Sequence, residues 1–308
     1  MTVQELVTEI YEAAGEPSDL DIYDGSGEFD IASVGAVAIL KYLNRAYERL
    51  ANWKLPNGTN IRFSSLNRRK LFKTESYATT AGAGSTVSAI VLAAGASSSD
   101  DHYVEWTIEI GTSRKVVLAY DATTLTITPH EAFAVAPAEG AVVTLYKRFF
   151  KFYTDTAGLH SGEGIEIDPQ EIVAIQSVRD LTQERSLERM SRTDESWGQM
   201  VQGTGSPGMF AQVAGGIEFD LAPTTGEAFL IRYYGKPEAL TVASQVPAIP
   251  GPWHEPLLYL GVWVTLKKDR ATDEAYSLKR DIQDMIVQTV QESERSFEFE
   301  SGQLYIKE

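Results

Sequence analysis

The stretch from Pro247 to Glu292 constrains the fold most, because a proline-rich entry is followed by two long apolar segments. Pro252 and Pro256 stand where a helix can begin, since the first helical N–H groups need no partner within the helix. Residues 257–266 have almost no polar break, which predicts a helix buried on all sides. From Leu278 to Val290 apolar residues recur at spacings of three and four, which predicts an amphipathic helix. The two segments form either one bent helix or a helical hairpin that turns near residues 271–273.

Gly261 lies in the middle of the buried segment, where glycine costs stability relative to alanine. We therefore expect another backbone to pass close to it. Nothing in this stretch is typical of a catalytic site, and we interpret it as a scaffold that packs against other copies of the chain. The candidate subunit-packing residues are Trp253, Leu257, Leu260, Gly261 and Trp263.

Composition excludes several classes of function. The 308 residues include no cysteine, so disulfides and thiolate chemistry are excluded. The longest apolar run, residues 89–96, is too short to span a bilayer, and the N-terminus lacks the basic and then apolar pattern of a signal peptide. A formal net charge of −16 disfavours nucleic-acid binding as the main role, because phosphate neutralisation needs a basic face.

Two helices are predicted at the N-terminus. Thr2 and Glu5 have the spacing of a capping box, and Gly15 is a typical stop signal for the helix between them. The acidic loop at residues 16–30 has the wrong spacing for a calcium loop and predicts a solvated turn. A second helix is expected over 33–53. Its predicted buried face consists of Val37, Leu40, Leu43, Tyr47, Leu50 and Trp53.

The composition changes at Tyr77, where short β-rich runs separated by turn residues begin. We predict an inserted β domain over 77–148, a small antiparallel barrel or sandwich. The remainder, residues 1–76 and 149–308, would form a discontinuous helical core with a β-hairpin, long C-terminal helices and a C-terminal extension at 296–308. The fold class is therefore α+β. The predicted strands of the insert are 87–92, 103–110, 115–120, 124–128 and 141–146.

After the insert, the apolar residues Ile172, Val173, Ile175 and Val178 predict a strand over 172–178, and a charged helix is expected over 181–200. Residues 217–221 and 229–234 alternate on either side of a turn, which predicts that they pair as a β-hairpin. The last apolar residues suit a short strand that either joins a sheet of its own chain or reaches a neighbour. These residues are Phe297, Phe299, Leu304, Tyr305 and Ile306.

Residues 54–74 contain basic residues and no acidic one, a local asymmetry on an acidic chain. A second basic cluster leaves the insert and would lie beside the first if the two ends of the insert meet. The simpler interpretation is a solvated face, and the functional one is a docking patch for an acidic partner. The candidate patch consists of Arg62, Arg68, Arg69, Lys70, Lys73, Lys147 and Arg148.

Motifs for catalysis, cofactors and metals are weak throughout. The four histidines are scattered, without the spacing of a zinc site. His254 is interpreted as a packing or capping residue at a helix start. Gly203 to Gly208 matches a dinucleotide fingerprint, but a predicted helix precedes it and Pro207 disrupts the required turn. Carboxylates are abundant and no acid–base pair stands out, so we expect no enzymatic activity, no catalytic residues, no metal and no cofactor.

The order of these pieces resembles the head-to-tail adaptor, or connector, proteins of tailed bacteriophages. The resemblance is carried by residues 42–50 (YLNRAYERL), 175–180 (IQSVRD), 216–223 (GIEFDLAP), 231–240 (IRYYGKPEAL) and the paired C-terminal helices. In the insert, residues 100–104 and 119–124 are similar to small β modules of phage structural proteins. No single motif is specific, and the ordered set covers roughly two thirds of the chain.

The resemblance implies a structural virion protein at the head–tail junction, assembled in the cytoplasm of the host bacterium. It implies a twelvefold homo-oligomeric ring that binds the portal protein and tail or nozzle proteins and lets DNA pass without sequence-specific contacts. It implies no membrane partner and carries over no catalytic residue. On this interpretation the segment from Phe297 to Ile306 is the candidate portal-binding tail.

Three alternatives remain open at this level. The chain could be a tail terminator or tail-hub protein, which would bind the tail tube rather than the portal. It could be a carbohydrate-active enzyme that uses paired carboxylates, with the β insert as a binding module. It could also be a host-surface binding module, if Tyr103, Trp106 and Tyr120 form an exposed patch rather than the core of the insert.

Overall fold

A computed structural model describes residues 1–15, 21–154, 164–191, 204–268, 272–292, 297–300 and 303–306. The chain divides into two compact units, residues 1–68 with 234–308 and residues 69–233. Over the described ranges the fold is mixed α+β, with four α-helices and several sheets that are largely antiparallel. The helices are α1 (Val3–Ala13), α2 (Val34–Ala51), α3 (His254–Lys268) and α4 (Thr272–Glu292).

The first unit contains all four helices. Thr2 and Glu5 form the predicted capping box, and Gly15 follows α1 at a φ of +82°. α2 begins after the N-cap Ser33. Its buried face is rotated from the predicted one, because Val37 is exposed while smaller residues such as Ala36 and Ala46 face the core. Helices can approach each other closely where such small residues lie between them.

The C-terminal helices form two segments in contact, as the hairpin alternative predicts, with residues 269–271 outside the described chain. α3 follows a short 3₁₀ turn at Gly251–Trp253. A Cβ placed on Gly261 would lie 2.5 Å from Cδ1 of Ile10. The atoms nearest to that position belong to side chains of α1 and α2, both of which pack against this helix, and Ile10 of α1 fills the space.

A small sheet completes the first unit. Its strands are β1 (Asn60–Phe63), β17 (Phe297–Glu300) and β18 (Gln303–Ile306). The C-terminal pair forms an antiparallel hairpin, and β18 pairs in parallel with β1. The C-terminal segment therefore joins a sheet of its own chain, which is one of the two arrangements expected from the sequence.

The second unit contains an open six-stranded antiparallel sheet in the order β3-β8-β5-β6-β7-β4. None of the described sheets closes into a barrel, so that part of the prediction was wrong. Tyr103 and Tyr120 are buried in this sheet's core and Trp106 packs against it, which disfavours an exposed aromatic binding patch. The strands are β3 (Ser76–Thr80), β4 (Ile90–Val91), β5 (Thr107–Ile110), β6 (Ser113–Asp121), β7 (Thr126–Pro129) and β8 (Val142–Tyr146).

Two further sheets of the second unit share one apolar core. Their orders are β10-β9-β15-β14-β13 and β12-β11-β16-β2. The strands of the first are β9 (Phe149–Tyr153), β10 (Gly164–Glu166), β13 (Glu188–Met190), β14 (Met209–Val213) and β15 (Gly216–Phe219). Those of the second are β2 (Asn67–Lys73), β11 (Ile172–Asp180), β12 (Arg185–Ser186) and β16 (Ala228–Gly235).

The predicted hairpin of residues 217–221 with 229–234 was wrong. β15 pairs with β14 and β9, whereas β16 belongs to the other sheet. The two strands meet through their apolar side chains instead, and the rings of Phe219 and Phe229 have centroids 4.7 Å apart. Alternation specifies which face is buried, but not which strand is the hydrogen-bonded neighbour.

The helix predicted over 181–200 was also wrong for its described part, residues 181–191, which contains a turn followed by β12 and β13. Oδ1 of Asp180 accepts hydrogen bonds from the N–H groups of Thr182 and Gln183, and Glu184 has a φ of +53°. These local bonds compete with a helix and reverse the chain so that β12 pairs with β11. Residues 192–200 lie outside the described chain.

Candidate functional site

The candidate subunit-packing residues lie mainly inside the first unit. Trp253 and Leu257 are fully buried, and Leu260 is nearly so. The indole of Trp253 meets the ring of Phe63 edge-on, with centroids 5.2 Å apart. These residues therefore fill the core of their own chain, which disfavours contacts between copies at these side chains. Trp263 is the exception, because its ring is half-buried. A subunit-packing role for the helix stays a prediction.

Two members of the candidate basic docking patch are also buried. Nη1 of Arg62 donates to Oδ1 of Asn52, and the guanidinium carbon lies 4.4 Å from the centroid of Tyr234. Arg148 pairs with Glu218, with 2.6 Å between Nη2 and Oε1. Placing these two arginines on an exposed patch was wrong, since each neutralises or covers a group inside its own unit.

The other members of the patch lie nearer the surface. Arg69 and Lys73 are exposed on β2, the edge strand of its sheet, where cations discourage pairing with other chains. Nζ of Lys70 lies 2.7 Å from Oε2 of Glu166. Arg68 lies 3.6 Å from Glu238, an exposed pair that contributes little stability. For these residues the docking role remains a prediction.

Lys147 lies in the second unit above the ring of Trp106, with its Nζ 5.4 Å from the centroid. The two residues line a depression of about 300 Å³ together with His102 and Tyr153. An ammonium over an indole face is attracted by the quadrupole of the ring. The sequence-level patch did not include these aromatic neighbours, because they come from distant segments.

The first unit carries a basic surface that the sequence analysis did not single out. Lys41, Arg45 and Arg49 are exposed along one side of α2 at spacings of four residues. They line a depression of about 500 Å³ with Lys267 of α3. Arg49 and Lys267 both approach the ring of Trp263, at 4.9 Å and 5.3 Å from its centroid. The sequence signal that could have identified this surface is the recurrence of cations every four residues along α2.

The buried carboxylates of the second unit have structural partners. Oδ1 of Asp220 accepts the N–H groups of Gly208 and Met209. Oε1 of Glu227 accepts the hydroxyl and N–H of Thr224. Asp180 holds the turn after β11, and Glu218 pairs with Arg148. The oxygens engaged in this way stabilise turns and neutralise a cation.

Among the described residues, no group of three or more histidine, aspartate or glutamate side chains is placed to hold a metal ion. Within the described ranges, no helix has both the length and the apolar character that a bilayer crossing requires.

Burial raises the pKa of Tyr103 to about 12. Burial, followed by the nearby terminal ammonium, lowers the pKa of His254. Both residues are packing groups.

The described charges either form contacts inside their own unit or lie on its surface. The family model described as SU10 adaptor protein matches residues 1–298. The chain therefore belongs to the SU10 adaptor protein family, which confirms the resemblance to phage head-to-tail adaptors. Such a protein is a structural component of the virion at the head–tail junction. Among curated proteins, none matches this chain.

Proposed function

We propose that this chain assembles into a ring that joins the portal of the phage head to the tail and lets the genome pass through its lumen. The observation that carries the proposal is the family match over residues 1–298, which spans both units. The partners are the portal protein on one side and a tail or nozzle protein on the other. The role is mechanical, and it requires no catalytic group.

The charge of the chain supports passage of DNA without retention. With a net charge of −16 per copy, a ring of many copies carries a large negative charge. Like charge repels the phosphate backbone, so DNA can slide through without adhering to the wall. The lumen of the proposed ring would be lined by part of this acidic surface.

The C-terminal hairpin supports a contact with the portal. β17 lies at the edge of its sheet, and an edge strand presents unpaired N–H and C=O groups. A strand of a partner protein can add to such an edge through main-chain hydrogen bonds. We assign the segment from Phe297 to Ile306 as the portal-binding tail on this basis.

The test of the proposed function is the mass of the assembly. Native mass spectrometry of the purified chain, of 33.9 kDa, would be compared alone, with purified portal rings and with purified tail tubes. We expect addition of several copies to each portal ring. Binding to the tail tube without binding to the portal would favour a tail terminator instead. Absence of both binding and self-assembly would overturn the proposal.

The portal-binding tail is tested by deleting residues 296–308, with deletion of Lys307 and Glu308 alone as the matched control because they follow β18. We expect the longer deletion to abolish portal binding and the shorter one to preserve it. Because the longer deletion also removes the partner of β1, thermal unfolding must show that the helical unit remains folded. A synthetic peptide of residues 296–308 should compete with the full chain for the portal. Undiminished binding in both experiments would contradict this role.

A further inference from the structure

The surface of α2 carries a basic stripe, which we define as Lys41, Arg45 and Arg49 together with the adjoining Lys267 of α3. Four of the six residues that line its depression are cationic, on a chain whose net charge is −16. Like charges four residues apart on a helix destabilise it. An anionic group of another molecule that lies against this surface would offset the repulsion between its cations, which gives the surface a function.

Within the described chain the basic stripe has no acidic counterpart. Among the residues whose side chains the structure describes, a set that leaves out residues 268–274, Lys41, Arg45 and Arg49 make no ion pair with a carboxylate. Arg49 and Lys267 are held by the face of Trp263 instead, which orients both cations without neutralising them. Glu48 is the one carboxylate at the adjoining depression on the same helix. The stripe is therefore an ordered cationic surface that is available to a partner.

α1 of the same unit carries the complementary surface. Glu5, Glu9 and Glu12 are exposed at spacings of four and three residues, while the opposite face of α1 is buried. We define these three residues as the acidic stripe. No ion pair joins the acidic stripe to the basic stripe within the described chain. Oε2 of Glu5 accepts the N–H of Thr2 in the capping box, so Glu9 and Glu12 are the carboxylates that can face another molecule. The basic stripe spans residues 41–49 on α2 and the acidic stripe spans residues 5–12 on α1. Since the rise per residue is the same in both helices, the two stripes have similar lengths.

We propose that the basic stripe of one copy binds the acidic stripe of the next copy, forming the contact between subunits. The inference rests on the proposed function, since it specifies which surfaces build the ring. Two different complementary patches on one chain make a head-to-tail contact, and such contacts close into a ring when the rotation between copies permits. Charge complementarity also steers the copies into this register during association.

A second copy fits the basic stripe better than nucleic acid does. DNA must approach a chain with a net charge of −16, and this surface offers it only the four cations of the basic stripe and Lys54 and Lys279 at the adjoining depression, where Glu48 adds to the repulsion. An α1 helix brings Glu9 and Glu12, with Glu5 of the capping box one turn before them, and needs no extended basic face. Trp263 adds a half-buried aromatic surface, a type of residue enriched at contacts between proteins.

Charge reversal at both stripes tests the contact. One variant carries Lys41→Glu and Arg45→Glu, and another carries Glu9→Lys and Glu12→Lys. These substitutions leave the capping residue Glu5 and the stacked Arg49 unchanged. We expect each variant alone to need a roughly tenfold higher concentration for half-maximal assembly, alone or on portal rings, because like charges then face each other. Mixing the two variants should restore assembly, since each supplies the partner surface that the other lacks.

The controls separate this inference from the proposed function. Arg280→Glu changes an exposed cation of α4 outside the basic stripe and should leave assembly unchanged. If the unaltered chain assembles and both double variants assemble equally well, the proposed contact is wrong while the ring remains. If the unaltered chain neither self-assembles nor adds to the portal, the proposed function fails. If the Lys41 and Arg45 variant assembles normally but loses binding to duplex DNA, the stripe is a nucleic-acid contact and the inference is overturned.

Discussion

Arg148 and Glu218 form an ion pair whose side chains are 6% and 3% exposed. Both ends of the pair lie on neighbouring segments of the second unit, since the N–H of Phe219 donates to the carbonyl of Arg148. Removing two charges from water is costly, and their attraction compensates only while both remain. Arg148, which the sequence suggests as a docking cation, is therefore a structural residue, and its replacement should lower the free energy of unfolding.

We expect Arg148→Met to lower the free energy of unfolding by about 3–5 kcal/mol, because it leaves Glu218 buried without its cation. Adding Glu218→Leu should recover most of the loss, since no unpaired charge then remains. Urea unfolding of the single and double variants gives the coupling energy. An additive result, with no recovery in the double variant, would contradict a direct pair.

His254 provides a second prediction at this scale. It is buried, its Nδ1 lies 2.9 Å from the amino group of Met1, and its Nε2 lies 3.1 Å from the carbonyl of Ile249. Burial lowers its pKa below the ordinary value of 6.5, so the native state disfavours the protonated ring. Stability from this group is therefore complete above about pH 6.5 and falls as the pH drops toward its lowered native pKa.

We expect His254→Gln to flatten the decrease in stability below about pH 6.5, because the variant has no ring to protonate. The midpoint of thermal unfolding, measured at several pH values, gives the slope for each protein. His130→Gln is the matched control, since His130 is exposed and should retain the slope of the unaltered chain. Equal slopes for all three proteins would show that His254 does not contribute.

The close contact between α1 and α3 depends on the absence of a side chain at Gly261. Gly261 lowers the helical propensity of α3, yet the space of its absent Cβ is taken by Ile10, which is fully buried. The Cγ1 atom of Ile10 would lie 3.1 Å from that Cβ, in addition to the closer Cδ1 atom. Close packing of the two helices here depends on glycine in one and a long side chain in the other.

We expect Gly261→Ala to destabilise the chain by about 1 kcal/mol, as overpacking outweighs the gain in helix propensity. In an Ile10→Val background, which lacks the Cδ1 atom, the same substitution should become neutral or stabilising. Chemical unfolding of the four proteins in this cycle measures the change of sign. Equal effects of Gly261→Ala in both backgrounds would contradict the contact.

At the scale of the whole molecule, the distribution of charge decides which large partners can bind. The net charge of −16 is spread over both units, with exposed cations on β2 and on the basic stripe. We expect the purified chain to show no binding to a short DNA duplex at micromolar concentration in about 0.15 M salt. Fluorescence anisotropy checks this, and affinity that falls steeply with salt would contradict an acidic lumen that lets DNA slide.

Local physical rules account for what the sequence determined by itself. Thr2 and Glu5 cap α1 through bonds that span three residues, and the strand over 172–178 follows from its apolar residues. For the C-terminal segment the sequence left one bent helix and a helical hairpin open, and the structure has two helices, α3 and α4, that contact each other. The family resemblance, carried by the order of such pieces, is confirmed over residues 1–298.

Tertiary structure alone decided the pairing of strands and the environment of each charge. β15 and β16 alternate as hairpin strands do, but they belong to two sheets because their phenylalanines meet across a shared core. Arg148 is buried and Arg45 exposed, although both are arginines on an acidic chain. Periodicity and capping act over a few residues, whereas sheet order and burial depend on segments that lie far apart in the sequence.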